Sequence, residues 1–187
     1  MQQEIKNALD VLKRGGVILY PTDTVWGLGC DATNESAVKK IFEIKQRPES
    51  KSLIVLVADE NQLNRYVNEV PVVVWDLIET ADNPFTIVYP DVRGLASNVY
   101  AEDKSIGIRI VKDEFCQGLI HRFGKPIVST SANISGEPTP RYFDEISEQI
   151  ISKVDYVVNW RQHETASSQP SSIIKFFADG TFQIIRK

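Results

Sequence analysis

Short apolar runs alternate with amphipathic helical patterns through most of this sequence, and this alternation restricts the folds open to the chain. The runs VILYP, SLIVLV, FTIVYP, SIGIRIV and PIVST have the length and the branched side chains of buried strands. Helical patterns separate most of them. Two later runs, SSIIKF and TFQIIR, flank the turn signal ADG and predict a hairpin. The sequence therefore predicts an α/β fold with a mixed sheet.

Capping residues and prolines predict where the helices begin and end. Asn34 begins the helix in NESAVKKIFEIKQRP and Pro48 ends it, while Pro71 opens the helix in PVVVWDLIETA. A short helix is predicted from Asp59 to Tyr66. The segment RYFDEISEQIISKV is predicted to be a further helix, whose apolar side consists of Phe143, Ile146, Ile150 and Ile151.

The composition is that of an ordinary globular protein, with 42% hydrophobic and 25% charged residues in a chain of 187. This length favours one domain, residues 1–187. No apolar run approaches the ~18 residues that a membrane helix needs. The first residues, MQQEIK, lack the charged and apolar regions of a signal peptide. We therefore expect a cytoplasmic protein without a membrane partner.

The formal net charge of −4 argues against a protein that coats nucleic acid with a strongly basic surface. A local basic cavity remains compatible with this charge, because net charge averages over the whole surface. Cys30 and Cys116 lie outside any metal-binding spacing, so we expect buried or half-buried thiols and no protein-held metal. His121 and His163 lack the neighbours of a catalytic dyad, and we expect chemistry without a histidine general base.

The segment YPTDTVWGLG follows the first predicted strand and carries Thr22, Asp23 and Thr24 ahead of Gly27 and Gly29. Small hydroxyl side chains and glycines let a ligand approach the backbone, but ordinary turns use the same residues. The residues alone leave both readings open. The polar connection 161–170 is likewise either a mobile surface loop or a lid over a site.

A cluster of three cations precedes one predicted strand, and a single arginine lies inside another. Lys45, Arg47 and Lys51 fall within seven residues, and they could offset a helix dipole or surround a polyphosphate. Arg109 lies inside the run SIGIRIV, where a buried guanidinium must pair with an internal carboxylate or with that of a substrate.

A cluster of hydroxyl and amide side chains follows the strand PIVST in STSANISG. It could bind phosphate or ribose oxygens, or it could cap a helix. The sequence has no Walker A, Rossmann or protein-kinase motif. The residues themselves therefore indicate an anion-binding crevice and go no further.

In these segments the chain resembles the YrdC/YciO family, most closely its short, single-domain threonylcarbamoyl-AMP synthases. The matching segments are YPTDTVWGLGCDA, KQRPESKSLIVLV, NPFTIVYP, SIGIRI, KPIVSTSANISGEP and QPSSII, which run in order from residue 20 to residue 174. The family's Lys-x-Arg and Ser-x-Asn pairs stand here as Lys45/Arg47 and Ser131/Asn133. The resemblance implies a twisted mixed sheet with flanking helices and a large concave basic cavity.

The resemblance also implies a reaction, in which L-threonine, bicarbonate or CO2, and ATP give threonylcarbamoyl-AMP and pyrophosphate. Mg²⁺ would accompany the triphosphate. The product would serve threonylcarbamoyl-adenosine modification of tRNA through downstream transfer proteins. Alternatives within the resemblance are a protein that binds double-stranded RNA or tRNA, and a YciO-like paralogue with weak or different activity.

The matched positions imply roles for individual residues. Lys45 and Arg47 would be catalytic. Threonine would be held by Thr24, Arg109, Ser129 and Ser171. ATP would be held by Arg47, Lys51, Ser105, Ser131, Asn133, Thr139 and Arg186.

Overall fold

The computed structural model describes residues 1–49, 52–81, 83–164, 169–177 and 181–186. Its helices are α1 (Gln2–Lys13), α2 (Glu35–Lys45), α3 (Glu60–Tyr66), α4 (Val72–Thr80), α5 (Glu114–Phe123) and α6 (Glu148–Ile151). Its strands are β1 (Ile18–Tyr20), β2 (Gly27–Gly29), β3 (Ile54–Val57), β4 (Phe85–Tyr89), β5 (Ile106–Ile110), β6 (Ile127–Ser131), β7 (Tyr156–Val157), β8 (Ser172–Phe176) and β9 (Phe182–Arg186).

The strands form one mixed sheet in the order β7-β1-β2-β6-β3-β5-β4-β8-β9. Parallel pairs join β3 to β5, β4 to β8 and β1 to β7, and the other neighbours are antiparallel. The prediction of an α/β fold with a mixed sheet is therefore confirmed. The predicted hairpin is also confirmed in β8 and β9, while its ADG turn, residues 178–180, lies outside the described residues.

Two apolar layers cover the sheet. Helices α1 and α5 pack on one face, where Leu56 and Ile127 belong to their apolar cluster. Helix α2 packs on the opposite face with Val55 and Val128. Because successive strand residues point to opposite faces, Ser129 lies on the same face as Ile127. The α1–α5 layer covers only part of this face, and the uncovered part holds the candidate site.

Local capping explains most helix boundaries. Asn34 Oδ1 accepts a hydrogen bond from the Ala37 N–H at 3.1 Å, as the prediction of an α2 cap requires. Helix α2 ends at Lys45, and Gln46 takes the left-handed conformation two residues before Pro48. Pro71 stands immediately before α4, in agreement with its predicted opening role.

The prediction of one helix over RYFDEISEQIISKV is wrong. A 3-10 turn covers Phe143–Glu145 and a single α-helical turn, α6, covers Glu148–Ile151. Ile146 and Ser147 between them are extended, and the Ser147 hydroxyl accepts a hydrogen bond from Gln149 N–H. A serine side chain that caps a new turn competes with a continuous helix, so the local bond breaks the apolar period.

Strand β2 was not predicted. The sequence analysis left Gly27 and Gly29 as part of either a turn or a ligand approach, whereas they lie in a strand between β1 and β6. Both approach the Tyr20 ring: a side chain built at Gly29 would meet Tyr20 Cε1 at 2.7 Å. The glycines make room for this buried tyrosine.

Candidate functional site

A cavity of about 270 Å³ occupies the uncovered part of the sheet face. Its lining draws on the β1–β2 loop, strands β5, β6, β8 and β9, and the segment after α2. It includes eight of the predicted site residues: Thr24, Arg47, Arg109, Ser129, Ser131, Thr139, Ser171 and Arg186. Among the described residues of this lining there are three arginines and no acidic side chain. The cavity is thus suited to an anionic ligand.

Three other predicted site residues lie elsewhere. Lys45 and Asn133 stand behind the lining and contact residues that belong to it. Ser105 lines an adjoining cavity of about 460 Å³, which shares Ser52, Leu53, Ile54 and Ile173 with the first one. Lys51 lies outside the described residues.

Hydrogen bonds from Thr22 shape the loop between β1 and β2. The Thr22 Oγ1 atom accepts a bond from the Thr24 N–H at 3.0 Å and donates to the Val25 carbonyl at 2.8 Å. It also lies 2.9 Å from Thr24 Oγ1. These bonds make a tight turn typical of threonine and place the Thr24 side chain at the cavity. The segment therefore forms a turn that also lines the cavity, and its contact with a ligand stays a prediction.

Arg109 is 4% exposed and pairs with the Asp23 carboxylate through Nη1. Its Nη2 lies 3.4 Å from Thr24 Oγ1. The sequence left open whether this arginine pairs with an internal or a substrate carboxylate. The structure shows the internal partner, and it comes from the same turn that carries Thr24.

Lys45 is a buried cation that binds backbone carbonyls. Its Nζ donates to the Ser131 carbonyl at 2.5 Å and to the Asn133 carbonyl at 2.7 Å, and it lies 3.4 Å from Asn133 Oδ1. Burial, together with the charge of Arg47, lowers the pKa of this ammonium to about 8. The lysine thus ties the end of α2 to the loop that follows β6.

The loop after β6 is closed by its own polar side chains. The Ser131 hydroxyl donates to Asn133 Oδ1 at 2.5 Å. The Asn133 amide donates to the carbonyls of Ile134 at 3.0 Å and Glu137 at 2.8 Å. With Lys45 beneath it, this loop holds Ser131 at the cavity wall.

Arg47 stands on the cavity wall with part of its donor capacity available. Its Nη2 donates to the Ser52 carbonyl at 2.9 Å, while its buried Nε has no hydrogen-bond partner among the described residues. Burial lowers the pKa of this guanidinium. An arginine has five N–H donors, so several remain to bind an anion.

Arg186 lies on the rim of the cavity, at the end of β9. Its Nε and Nη2 donate to the Ser171 carbonyl at 2.9 and 2.7 Å. Burial and then the positive charge of Arg109 lower the pKa of this guanidinium, because two cations face one cavity. These two bonds join the C-terminal strand to the wall of the site.

Thr86 is a site-shaping residue that the sequence reasoning missed. It is fully buried, and its Oγ1 lies 2.8 Å from the Ser171 hydroxyl, which it holds at the cavity wall. A signal was present, because a threonine interrupts the apolar run FTIVYP. In the adjoining cavity, the Ser105 hydroxyl donates to Asp103 Oδ1 at 2.5 Å, and Lys175 pairs with the same carboxylate at 2.7 Å.

The thiols and imidazoles stand apart from the cavity. Cys30 and Cys116 are buried, as predicted, and burial raises the pKa of both thiols. His121 lies on α5, 3.6 Å from Asp59. The described parts of the chain contain no group of three or more His, Cys, Asp or Glu side chains placed to hold a metal ion. No helix within those parts is long and apolar enough to cross a membrane.

A family model described as telomere recombination, which covers Sua5, YciO and YrdC proteins, matches residues 10–187. The chain belongs to this family. It is 35% identical over 175 residues to the threonylcarbamoyl-AMP synthase of Pseudoalteromonas translucida, and the match covers 92% of each chain. It is 33% identical to the enzyme of the same name from Vibrio campbellii, covering 91% of this chain and 93% of that one.

Solved structures of the family share the fold. The Sua5 protein of P. abyssi, complexed with L-threonine, is 28% identical with a TM-score of 0.85, covering 97% of this chain and 53% of that one. This chain therefore spans about half the length of that Sua5 protein. YciO of E. coli is 25% identical with a TM-score of 0.85, covering all of this chain and 90% of that one. The predicted YrdC-type architecture is confirmed.

Proposed function

We propose that this chain is a threonylcarbamoyl-AMP synthase, which joins L-threonine, bicarbonate or CO2, and ATP with release of pyrophosphate. The observation that carries the proposal is the cavity, where three arginines and seven serines or threonines converge without an acidic residue among its described lining. Curated relatives of nearly the same length bear the name of this activity. We further propose that residues 1–187 act as one domain and that the enzyme works in the cytoplasm.

The proposed chemistry needs orientation and charge stabilisation rather than a covalent residue. The neutral threonine amine first adds to CO2, and as the N–C bond forms it loses one proton to solvent, which gives a carbamate. A carbamate oxygen then attacks the α-phosphorus of ATP; the new O–P bond forms as the bond to the β-phosphate breaks, and pyrophosphate leaves. Fixed cations stabilise the negative charge that spreads over the phosphoryl oxygens in such a transfer.

Residue roles follow from position in the cavity. We assign the threonine carboxylate to Arg109, beside Thr24, Ser129 and Ser171. We assign the phosphates and ribose of ATP to the Arg47, Ser131 and Thr139 side, with Arg186 at the rim and Ser105 in the adjoining cavity. Arg47 is the candidate for stabilising the transition state. Lys45 and Asn133 hold Ser131 from behind, and Lys51 keeps its predicted place among the ATP ligands.

Mg²⁺ is proposed to enter bound to the phosphates of ATP, because the described lining of the cavity has no carboxylate that could hold the ion by itself. The product would pass to downstream threonylcarbamoyl-transfer proteins that modify tRNA. Direct binding of tRNA or double-stranded RNA is a separate matter. Tight RNA binding that weakens steeply with salt would establish it. Weak RNA binding at all salt concentrations would leave synthase activity as the proposed function without RNA binding.

The decisive assay measures pyrophosphate release with ATP, L-threonine and bicarbonate. We expect release that requires both threonine and bicarbonate. Pyrophosphate release that does not depend on threonine, or the absence of release, would contradict the proposal. Either result would favour a YciO-like paralogue with a different activity.

At the residue level, Arg47→Ala should lower kcat/KM by a factor that corresponds to ~2–4 kcal/mol, the scale of removing one oriented electrostatic donor. The matched control is Arg122→Ala, which removes an exposed arginine of α5 that donates to Gln2. The control should keep wild-type turnover. Wild-type activity in Arg47→Ala would remove this residue from the site.

A further inference from the structure

Asp23 has no role in the proposed reaction, yet its carboxylate forms an ion pair with Arg109, the most buried arginine of the cavity. Asp23 Oδ1 accepts from Arg109 Nη1, and the two residues are 86 positions apart in the chain. The arginine is 4% exposed and the aspartate side chain 14%. A guanidinium buried to this degree is costly unless a charge and hydrogen bonds compensate it.

The carboxylate could act in two opposite ways. It could compete with a ligand carboxylate for the guanidinium, or it could hold the guanidinium so that a ligand finds it in place. The contacts decide between these roles, because they show which nitrogens Asp23 uses and what fixes Asp23 itself.

Consecutive residues of one turn contact the two terminal nitrogens of Arg109. Asp23 binds Nη1, and Thr24 Oγ1 lies 3.4 Å from Nη2. The turn is itself fixed by Thr22, whose hydroxyl bonds Thr24 N–H and the Val25 carbonyl. Asp23 Oδ2 also lies 3.4 Å from the Lys112 N–H, just past the end of β5. The carboxylate is therefore part of a rigid frame around the guanidinium.

This frame leaves donors for a ligand. An arginine has five N–H donors. Asp23 takes one from Nη1, the long Thr24 contact draws weakly on Nη2, and Nε has no partner among the described residues. Asp23 also lines a separate small crevice with Lys112 and is not among the lining residues of the main cavity. It thus approaches the guanidinium from outside the space that a ligand would occupy.

We propose that Asp23 is a positioning residue for the amino-acid substrate: it holds the Arg109 guanidinium in the orientation that binds the substrate carboxylate. This inference rests on the proposed function, because it takes threonine as the ligand of Arg109. Asp23 touches neither substrate and acts only through the arginine. Threonine affinity therefore depends on its charge, whereas ATP affinity does not.

The test is Asp23→Asn, which keeps the side-chain shape and removes the charge. The KM for threonine should rise by about tenfold or more, the scale of losing one charge-assisted hydrogen bond, while kcat and the KM for ATP stay within about threefold. Asp23→Glu keeps the charge and should recover most of the affinity. Calorimetric titration with threonine measures its affinity without turnover. It should rank the wild type and the two variants in the same order as the KM values.

Two comparisons separate positioning from a general loss of structure. Asp31→Asn removes the charge of another largely buried aspartate, which lies away from the cavity. The Asp31 side chain is 7% exposed and forms an ion pair with Lys125 at 2.8 Å. The substitution should lower the thermal midpoint without changing the KM for threonine. In an Arg109→Lys background, Asp23→Asn should add less than about threefold, because residues that act through one shared partner are not additive.

Several outcomes would overturn the inference. A lower KM for threonine in Asp23→Asn would make the carboxylate a competitor, and an unchanged KM would give it no role in binding. If Asp23→Asn raised the KM for threonine and the KM for ATP equally, and Asp31→Asn did the same, the Asp23–Arg109 pair would only stabilise the fold. A wild-type protein that neither binds threonine nor needs it for turnover would refute the proposed function and the inference together.

Discussion

Lys45 shows how one side chain can support a site from behind. The residue is 2% exposed and its ammonium donates to two carbonyls of the loop after β6, while the nearby Arg47 reaches the cavity. The family resemblance implied a catalytic role for both residues of this Lys-x-Arg pair. The structure separates their positions: Lys45 fixes the loop after β6, and Arg47 lines the cavity. A catalytic role for Lys45 stays a prediction.

The low pKa of Lys45 predicts opposite effects of pH on stability and on activity. The folded-state pKa is about 8 against an ordinary value of 10.5, so between these pH values the unfolded chain binds more protons. Stability therefore rises with pH across this window, by roughly 3 kcal/mol at most. Activity should fall over the same range, because the neutral amine has fewer donors and no charge for the loop carbonyls.

Lys45→Met provides the comparison for this prediction, because it keeps much of the side-chain volume and cannot titrate. Urea unfolding at pH 7.5, 9 and 10.5 should show that the wild type gains stability relative to the variant as pH rises. The kcat/KM for ATP should fall with pH in the wild type and stay low and flat in Lys45→Met. If the difference in unfolding free energy between the two proteins stayed constant with pH, it would contradict the lowered pKa of Lys45.

At the scale of elements, strand β2 depends on what its residues lack. The strand GLG pairs with β1 on one side and β6 on the other. Tyr20, in β1, is fully buried, and its ring lies against the two glycines. Any side chain at Gly29 would compete for this space, so the missing Cβ atom at Gly29 is what allows the strand and the tyrosine to coexist.

Gly29→Ala should destabilise the fold by about 1–3 kcal/mol, the usual cost of overpacking a core. The added Cβ would lie 2.7 Å from Tyr20 Cε1 and 3.1 Å from the Val128 carbonyl. Gly27→Ala is the matched control, because its nearest neighbours would be Ser129 Oγ at 3.3 Å and Thr130 O at 3.4 Å. Chemical denaturation should rank wild type above Gly27→Ala and Gly27→Ala above Gly29→Ala. Equal stability of the two variants would refute the packing argument.

For the whole molecule, the distribution of charge matters more than its sum. The chain has a formal net charge of −4, yet the described lining of its main cavity carries three arginines and no carboxylate. A local positive field inside an acidic protein attracts an anion such as ATP while the remaining surface does not. The net charge alone did not reveal this cavity.

Salt should therefore weaken the binding of ATP more than that of threonine. The Debye length falls from about 10 Å at 0.1 M salt to about 3 Å at 1 M, which screens the attraction of a triphosphate. We expect the KM for ATP to rise several-fold between low and high salt, whereas that for zwitterionic threonine changes less. Steady-state kinetics at matched pH would check this. Parallel changes in both KM values would argue against an electrostatic origin.

Patterns within short stretches of sequence predicted most of the fold. The cap at Asn34, the opening of α4 at Pro71 and the strand runs all depend on neighbours within a few residues, and the structure confirms them. The failures have the same origin. Ser147 interrupts an apolar period through a hydrogen bond that periodicity does not detect, and β2 exists only because two distant strands flank it.

The sequence by itself determined the α/β class, most elements, the buried thiols and the residue types of the site. Only the tertiary structure decided how these residues divide the work. Arg109 meets Asp23 across 86 positions, and Lys45 binds carbonyls 86 and 88 positions away. Charges and hydrogen bonds act over a few ångströms in space, whereas local patterns carry no record of which distant segments the sheet brings together.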